Sequence, residues 1–423
     1  MRSAERRVRG HVALRHAAWG PGDIAVMRRE RGWTQEDLAE RSGLSVRTVR
    51  NVELGKISPR ASTVTLLARA LDIDQPHAAE AARGARDQLW YGPLPPTDPT
   101  FGDHEALERH ARTVLSHTLT TFVGPGGVGK TRHALAVAAR LAPRFSDGVA
   151  VVELGDLPKE GAERGGEVRA EVARRVQTAL DALGQMRGAQ APHGALNALL
   201  VLDNAEHLPG ATFAVVRTVL ASSCRLHVLI TSRRRLTDRL GANIRIRPLR
   251  ACAIAGEVPS DAPAVRLLLR HVGGMEEVAR GLAKDPELVC AMCRWVDGIP
   301  RYLEFIAERL RTLPLTSVSS AGSVLRILRS DDHVLLPHQR SAAESIRWSV
   351  ALLGEEHRRL LDLPAVRQAD GFALRDLDSF RTSSLSPLEL LSDLLEDCLL
   401  VSESNTRPHF HLPMLVRESL GTA

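Results

Sequence analysis

The sequence predicts a multidomain chain: a small all-α module, then an α/β domain on a parallel sheet, then a mainly helical remainder. Three observations carry this. The chain has 423 residues, which at roughly 150 per domain suggests about three domains. Its charge is lopsided: residues 1–60 hold 13 basic and 7 acidic side chains, whereas the other 363 hold 43 of each. The formal +6 therefore sits at one end, the pattern of a nucleic-acid module on a neutral body. Residues 105–250 alternate short apolar β-rich runs with helix-period segments, the signature of a parallel α/β sheet.

Composition excludes several classes. With 44% apolar and 25% charged residues, the chain is globular rather than disordered. No apolar run approaches the ~18 residues of a membrane helix. The N-terminal arginines are followed by no apolar h-region, so no signal peptide is read. Five cysteines form no disulfide framework, and an odd number in a long chain fits a reducing, cytoplasmic setting. Cys290 and Cys293 make a CxxC pair inside a helix-like stretch. Structural zinc needs four ligands, so they read as ordinary core or surface cysteines. Of the 56 basic residues only Lys56, Lys130, Lys159 and Lys284 are lysine, which makes a lysine in a motif conspicuous.

Residues 1–21 form a basic arm carrying Arg2, Arg6, Arg7 and Arg9, suited to non-specific phosphate attraction or to solvent. Residues 22–75 read as short helices joined by tight turns. Thr34 is an N-cap, with Asp37 three residues on in capping-box position. Leu38 and Ala39 open an apolar face, Gly43 supplies a turn, and Ser45 caps the next helix. Val49 and Val52 give that helix one buried stripe, and Gly55 ends it. The other face shows Val46, Arg47, Thr48, Arg50 and Asn51. The run "TQEDLAERSGLS…TVRNVELG" resembles the helix-turn-helix of phage-repressor-type (XRE-like) regulators. That resemblance implies a DNA-binding domain over 22–75 whose second helix enters the major groove. By position, Val46, Arg47 and Asn51 would face bases, with Arg suited to guanine, Asn to adenine and Val to a thymine methyl. Gln35, Thr48 and Arg50 would hold phosphates. Residues 76–104, with "YGPLPPTDPT", read as a linker.

In residues 105–250 the strand candidates are "LTTFVG", "GVAVVEL", "ALLVLD" and "LHVLITS". The first runs into Gly124-xxxx-Gly129-Lys130-Thr131 and then a helical segment, the context the Walker A pattern requires. Glycines Gly124, Gly126, Gly127 and Gly129 let backbone N–H groups converge on phosphate oxygens at a helix N-terminus. Lys130 would bridge β- and γ-phosphates, and Thr131 would hold Mg²⁺. "ALLVLD" ends in Asp203, a Walker B acid for the same Mg²⁺. Asn204 follows where many ATPases carry a second acid, and Glu206 is the nearest alternative, so hydrolysis is slow at most. "VLITSRRRL" ends at Thr231, Ser232 and Arg233, in the crevice where α/β ligands bind. Arg233 would sense the γ-phosphate, while Arg234 and Arg235 read as solvated surface.

These elements in order, followed by "IRIRPL" and "VDGIPRYLEFIAERL", resemble the NB-ARC nucleotide switch of STAND regulators, as found in actinobacteria. The resemblance spans residues 100–423. It implies a P-loop NTPase domain (105–250), a helical domain (251–330) and a winged-helix domain (331–423). Gly298 and Pro300 match the family's GxP motif, whose proline packs near the adenine. "SAAESIRWSVALLGEEHRRLLDLPAV" and "LSDLLEDCLLVSES…HFHLPMLVRESL" resemble the beginning and end of the last part. Two positions depart from the pattern: Asp103 stands where an adenine-contacting arginine is usual, and Pro413 where a phosphate-contacting histidine is usual. The resemblance implies that ADP locks the switch and ATP opens it for assembly. The expected function is thus a cytoplasmic, nucleotide-gated transcriptional regulator with ATP/ADP and Mg²⁺ as cofactors. Its partners would be double-stranded DNA, a second copy of itself, and an unidentified protein or small-molecule signal, with no membrane. The rival is an NLR-like STAND signalling or defence ATPase whose N-terminal module binds protein. A plain small-molecule kinase would need a substrate-pocket motif, and none is read.

Overall fold

Alternating apolar runs and helix-period segments become strands and helices in the computed structural model of the chain. The described residues run, with short interruptions, over 24–53, 89–95, 104–235, 241–251, 262–313, 324–402 and 409–421, together with 67, 70, 71, 317 and 318. The chain falls into two units, Met1–Leu94 and Pro95–Ala423. The predicted arm, the turn glycine Gly43, the end glycine Gly55 and most of the predicted linker lie outside the described residues.

The first unit holds helices α1 (Gln35–Ser42) and α2 (Val46–Glu53). Thr34 starts α1 as its spacing requires: its hydroxyl accepts from Asp37 N–H at 3.1 Å, and Asp37 Oδ2 accepts from Thr34 N–H at 2.8 Å. Ser45 accepts from Thr48 N–H at 3.1 Å and starts α2. Leu38, Ala39, Val49 and Val52 pack with Ile24, Leu67 and Leu71 into one core. Burial of these side chains supplies the driving force that eight-residue helices lack on their own. A buried ion pair adds to this core. Arg28 Nε and Nη2 donate to Glu53 Oε1 and Oε2 at 2.6 and 3.0 Å, and Nη1 donates to the Trp33 carbonyl at 2.6 Å.

The second unit is built on parallel strands β1 (Leu119–Val123), β2 (Gly148–Glu153), β3 (Ala198–Asp203), β4 (His227–Ser232) and β5 (Ala242–Arg245), in the order β2-β3-β4-β1-β5. The first and third are buried at every position and the second at all but its last, as strands covered on both faces must be. Helices α3 (His104–Ser116), α4 (Lys130–Leu141), α5 (Gly165–Met186) and α6 (Pro209–Ser222) pack around the sheet. The fifth strand was not among the strand candidates. Its sequence, Ala-Asn-Ile-Arg, is half-exposed edge strand and makes no apolar run.

Beyond the sheet come α7 (Pro263–Val272), α8 (Pro286–Trp295) and α9 (Pro300–Leu310), then α10 (Ala342–Ala351), α11 (Glu355–Leu361), α12 (Pro387–Glu396) and α13 (Met414–Gly421). Short strands β6 (Phe372–Ala373), β7 (Val401–Ser402) and β8 (His409–His411) make an antiparallel sheet ordered β6-β8-β7. One apolar cluster runs continuously from Ala262 through α9 and α10 to Val416. The Cys290–Cys293 pair sits on α8, and no metal-type cluster occurs among the described residues.

Candidate functional site

The strand register brings the motif residues together. Val123 stands opposite Ser232, and Glu153 opposite Asp203, so β1, β2, β3 and β4 end along one edge. At that edge the glycine loop turns from β1 into α4. Gly127 and Gly129 have φ of 80° and 94°, a region L side chains avoid. A Cβ on Gly124 would meet the Ile246 carbonyl, and one on Gly126 would meet Arg233 and Ser345. Pro300 opens α9, whose next N–H, Arg301, donates to the Gly127 carbonyl at 3.1 Å. Proline at the first helical position costs no hydrogen bond, so α9 can abut the loop directly.

A cleft of about 310 Å³ results. The glycine loop, Lys130, Thr131, Asn204, Glu206, Arg233 and Pro300 line it. Lys130 Nζ is folded onto the Gly124 and Pro125 carbonyls at 2.9 and 3.0 Å. Burial pushes its ammonium down to about 8, so a phosphate would restore a charge the site now penalises. Thr131 Oγ1 and Thr231 Oγ1 both donate to Asp203 Oδ1, at 2.7 and 2.5 Å, and Asn204 Nδ2 donates to Oδ2 at 2.9 Å. Burial drives the Asp203 carboxyl up to about 6 against those hydroxyls. The Thr131 hydroxyl and the Asp203 carboxylate are adjacent hard oxygen donors, a set that suits Mg²⁺.

Arg233 is buried and held from two sides. Nε donates to Glu206 Oε1 at 3.1 Å, while Nη1 donates to Ser345 O, Ser349 Oγ and Ser345 Oγ at 2.5, 2.8 and 3.2 Å. Burial works to raise the Glu206 carboxyl, but the charges of Arg233 and Lys130 outweigh it and hold it below the usual range. Arg235 is exposed, as expected, and Arg234 is half-buried, but both are paired. Arg234 Nε stands 2.9 Å from Asp397 Oδ2 and its Nη1 donates to Leu352 O at 2.8 Å, while Arg235 pairs with Glu396 at 3.0 Å. The sheet edge delivers three consecutive arginines to the C-terminal helices, a contact no local pattern discloses.

Sequence reasoning also missed His338. It lines the cleft, stacks on Trp348 with centroids 4.8 Å apart, and is pushed down to about 4 by burial and by Arg233. Its neighbourhood carried one usable signal: Ser341 accepts from Glu344 N–H at 3.1 Å, a start of α10 that "SAAE" spells out. Pro413, the departure from the NB-ARC pattern, lines a neighbouring cavity with Asp397 and Cys398.

The first unit carries the other set of candidate residues. Val46 is 37% exposed, Arg50 is exposed, and Thr48 and Asn51 are half-buried on α2. Thr48 Oγ1 shares a 2.8 Å hydrogen bond with Ser45 Oγ. Gln35 Nε2 donates to Glu53 Oε2 at 2.7 Å, leaving one amide hydrogen for a phosphate. Arg47 lies on α2, and its side chain is outside the described set. Residues 24–74 match the HTH_3 helix-turn-helix family. The chain carries a helix-turn-helix domain.

Longer similarities extend across the body. A Mycobacterium tuberculosis protein named as an HTH-type transcriptional regulator is 32% identical over 310 residues, 67% of this chain and 32% of that protein. The regulatory protein AfsR of Streptomyces griseus is 27% identical over 383 residues, 85% of this chain and 36% of AfsR. The chain thus spans about a third of the length of these relatives. Among solved structures, the Walker-type ATPase of Pyrococcus abyssi is 16% identical with a TM-score of 0.46, covering 78% of this chain and 98% of that one. No helix among the described residues is long and apolar enough to cross a membrane.

Proposed function

We propose that the protein is a nucleotide-gated, sequence-specific DNA-binding transcriptional regulator of the NB-ARC, STAND type. ATP or ADP occupies the glycine-loop cleft. Lys130 and the loop N–H groups hold the phosphates, Thr131 and Asp203 hold Mg²⁺, and Pro300 flanks the base. Bound Mg²⁺ supplies charge neutralisation of the phosphates. The α2 face of Val46, Arg47 and Asn51 reads bases, while Gln35, Thr48 and Arg50 position the backbone, with two copies reading paired half-sites. The helix-turn-helix domain and relatives named as regulators support this reading.

The single observation that carries the switch is Arg233. One guanidinium reaches from the end of β4, where a γ-phosphate sensor belongs, to Glu206 on one side and to Ser345 and Ser349 of α10 on the other. A phosphate drawing Arg233 toward the cleft competes with the hold on α10. The C-terminal part, with its three-stranded antiparallel sheet, acts as the winged helix that nucleotide state docks or releases. The test uses the full chain. Lys130→Ala should lose retained ADP and ATP, measured as nucleotide released on denaturation, and retention equal to the parent refutes the cleft. DNA selection should return a sequence preference that Arg47→Ala weakens, and its absence refutes the regulator reading.

A further inference from the structure

We propose that Glu206 is the catalytic carboxylate for ATP hydrolysis in this cleft, three positions beyond the strand-end acid, and that Arg233 holds it in reserve. The proposal rests on the reading that the glycine loop binds ATP. It starts from which carboxylate oxygens at the cleft remain free to take a proton. Asp203 has none. Oδ1 accepts from Thr131 and Thr231, and Oδ2 from Asn204. Asn204, directly after it, carries an amide and cannot act as a base, and that amide is committed to Asp203. Glu304 is shared among Arg301, Arg132 and His271. Glu206 differs. It is 95% buried, lines the same cleft as Lys130 and Thr131, and gives Oε1 to Arg233. Oε2 is sealed from solvent with no hydrogen-bond partner.

A buried carboxylate oxygen without a donor is costly, and a triphosphate cannot supply one, since its oxygens are acceptors. Water can. A water placed between Oε2 and the γ-phosphorus completes the missing hydrogen bond and is oriented for attack. In the step itself, the water oxygen bonds to the γ-phosphorus as the bond from that phosphorus to the β,γ-bridging oxygen breaks. The water proton passes to Glu206 Oε2, and ADP and phosphate leave. Oε2 is sealed while Arg233 is fixed between Oε1 and the two serines of α10. Water gains it only when that clamp loosens, so the docked state keeps its ATP intact and the released state spends it.

The experiment compares the full-length parent with Glu206→Gln, Glu206→Asp and Lys130→Ala, scoring ATP affinity, single-turnover hydrolysis with Mg²⁺, and the nucleotide that co-purifies. Glu206→Gln should bind ATP within about threefold of the parent, hydrolyse it at least 100-fold more slowly, as expected for loss of a general base, and co-purify with ATP where the parent carries ADP. Glu206→Asp, which keeps the charge and retracts the oxygens, should lose at least tenfold in rate with affinity kept. It also stands in if the Gln variant does not fold. Hydrolysis by either variant within threefold of the parent overturns the proposal. So does a parent that binds ATP and does not hydrolyse it, an outcome that leaves the switch standing. A parent that binds no ATP, like Lys130→Ala, removes the cleft reading as well.

Discussion

Two buried polar pairs set the limits within which single residues can change. In the helix-turn-helix unit, Glu53 takes two bonds from Arg28 and one from Gln35. Arg28 and Glu53 are both buried, so Glu53→Ala would strand a guanidinium in the core, at about 3 kcal/mol. Thermal melting of the variant should show the N-terminal unit unfolding first, with DNA binding lost and nucleotide binding kept. In the body, His133 Nε2 lies 2.7 Å from His110 Nδ1 beneath Phe122. One ring must donate and the other accept, so only one proton fits between them. Burial, then His110, pushes His133 down to about 4. The unfolded chain takes up a proton near 6.5 and the folded chain does not, so stability is lost as pH falls from about 6.5 to 4. The loss amounts to about 3 kcal/mol. His133→Phe should flatten that acid limb in denaturant titrations, and an unchanged pH dependence would place its origin elsewhere.

Between elements, the contacts that build the cleft are mostly backbone to backbone. Gly298 has φ 64°, and a Cβ there would fall on the Leu249 carbonyl oxygen. Leu249 N–H also donates to the Gly298 carbonyl at 3.0 Å. This fixes where α9 starts, and α9 in turn meets the loop through Arg301 N–H. Gly298→Ala should therefore lower ATP affinity at least tenfold through a residue that touches no ligand, while a melting curve shows the unit still folded. Such couplings explain what could be read in advance. Strands β1 to β4, the capped starts of α1 and α2, and the meeting of Lys130, Thr131, Asp203 and Arg233 were legible, because apolar runs, caps and glycine spacing are local signals. Edge strand β5, the Arg28–Glu53 pair and the grip of Arg233 to Arg235 on α10, Glu396 and Asp397 were not. They join residues 25 to more than 100 positions apart, and nothing in either partner's neighbourhood names the other.

Across the whole second unit, the sheet edge and the C-terminal helices are held by charge as well as by the shared apolar core. Arg234 and Arg235 pair with Asp397 and Glu396 at the end of α12. Charge reversal at both, Arg234→Glu with Arg235→Glu, should raise protease cleavage between α9 and α10 several-fold in the ADP form, read by limited proteolysis, with little change if ATP already releases that half. The Arg233 contact has a different consequence. Its shortest bond ends on a main-chain oxygen, Ser345 O, and every amino acid offers that same acceptor. Another small side chain at position 345 would keep this bond and lose only the 3.2 Å bond to the serine hydroxyl. A selection for constitutively released variants should therefore return changes at position 233 more often than small-residue changes at 345.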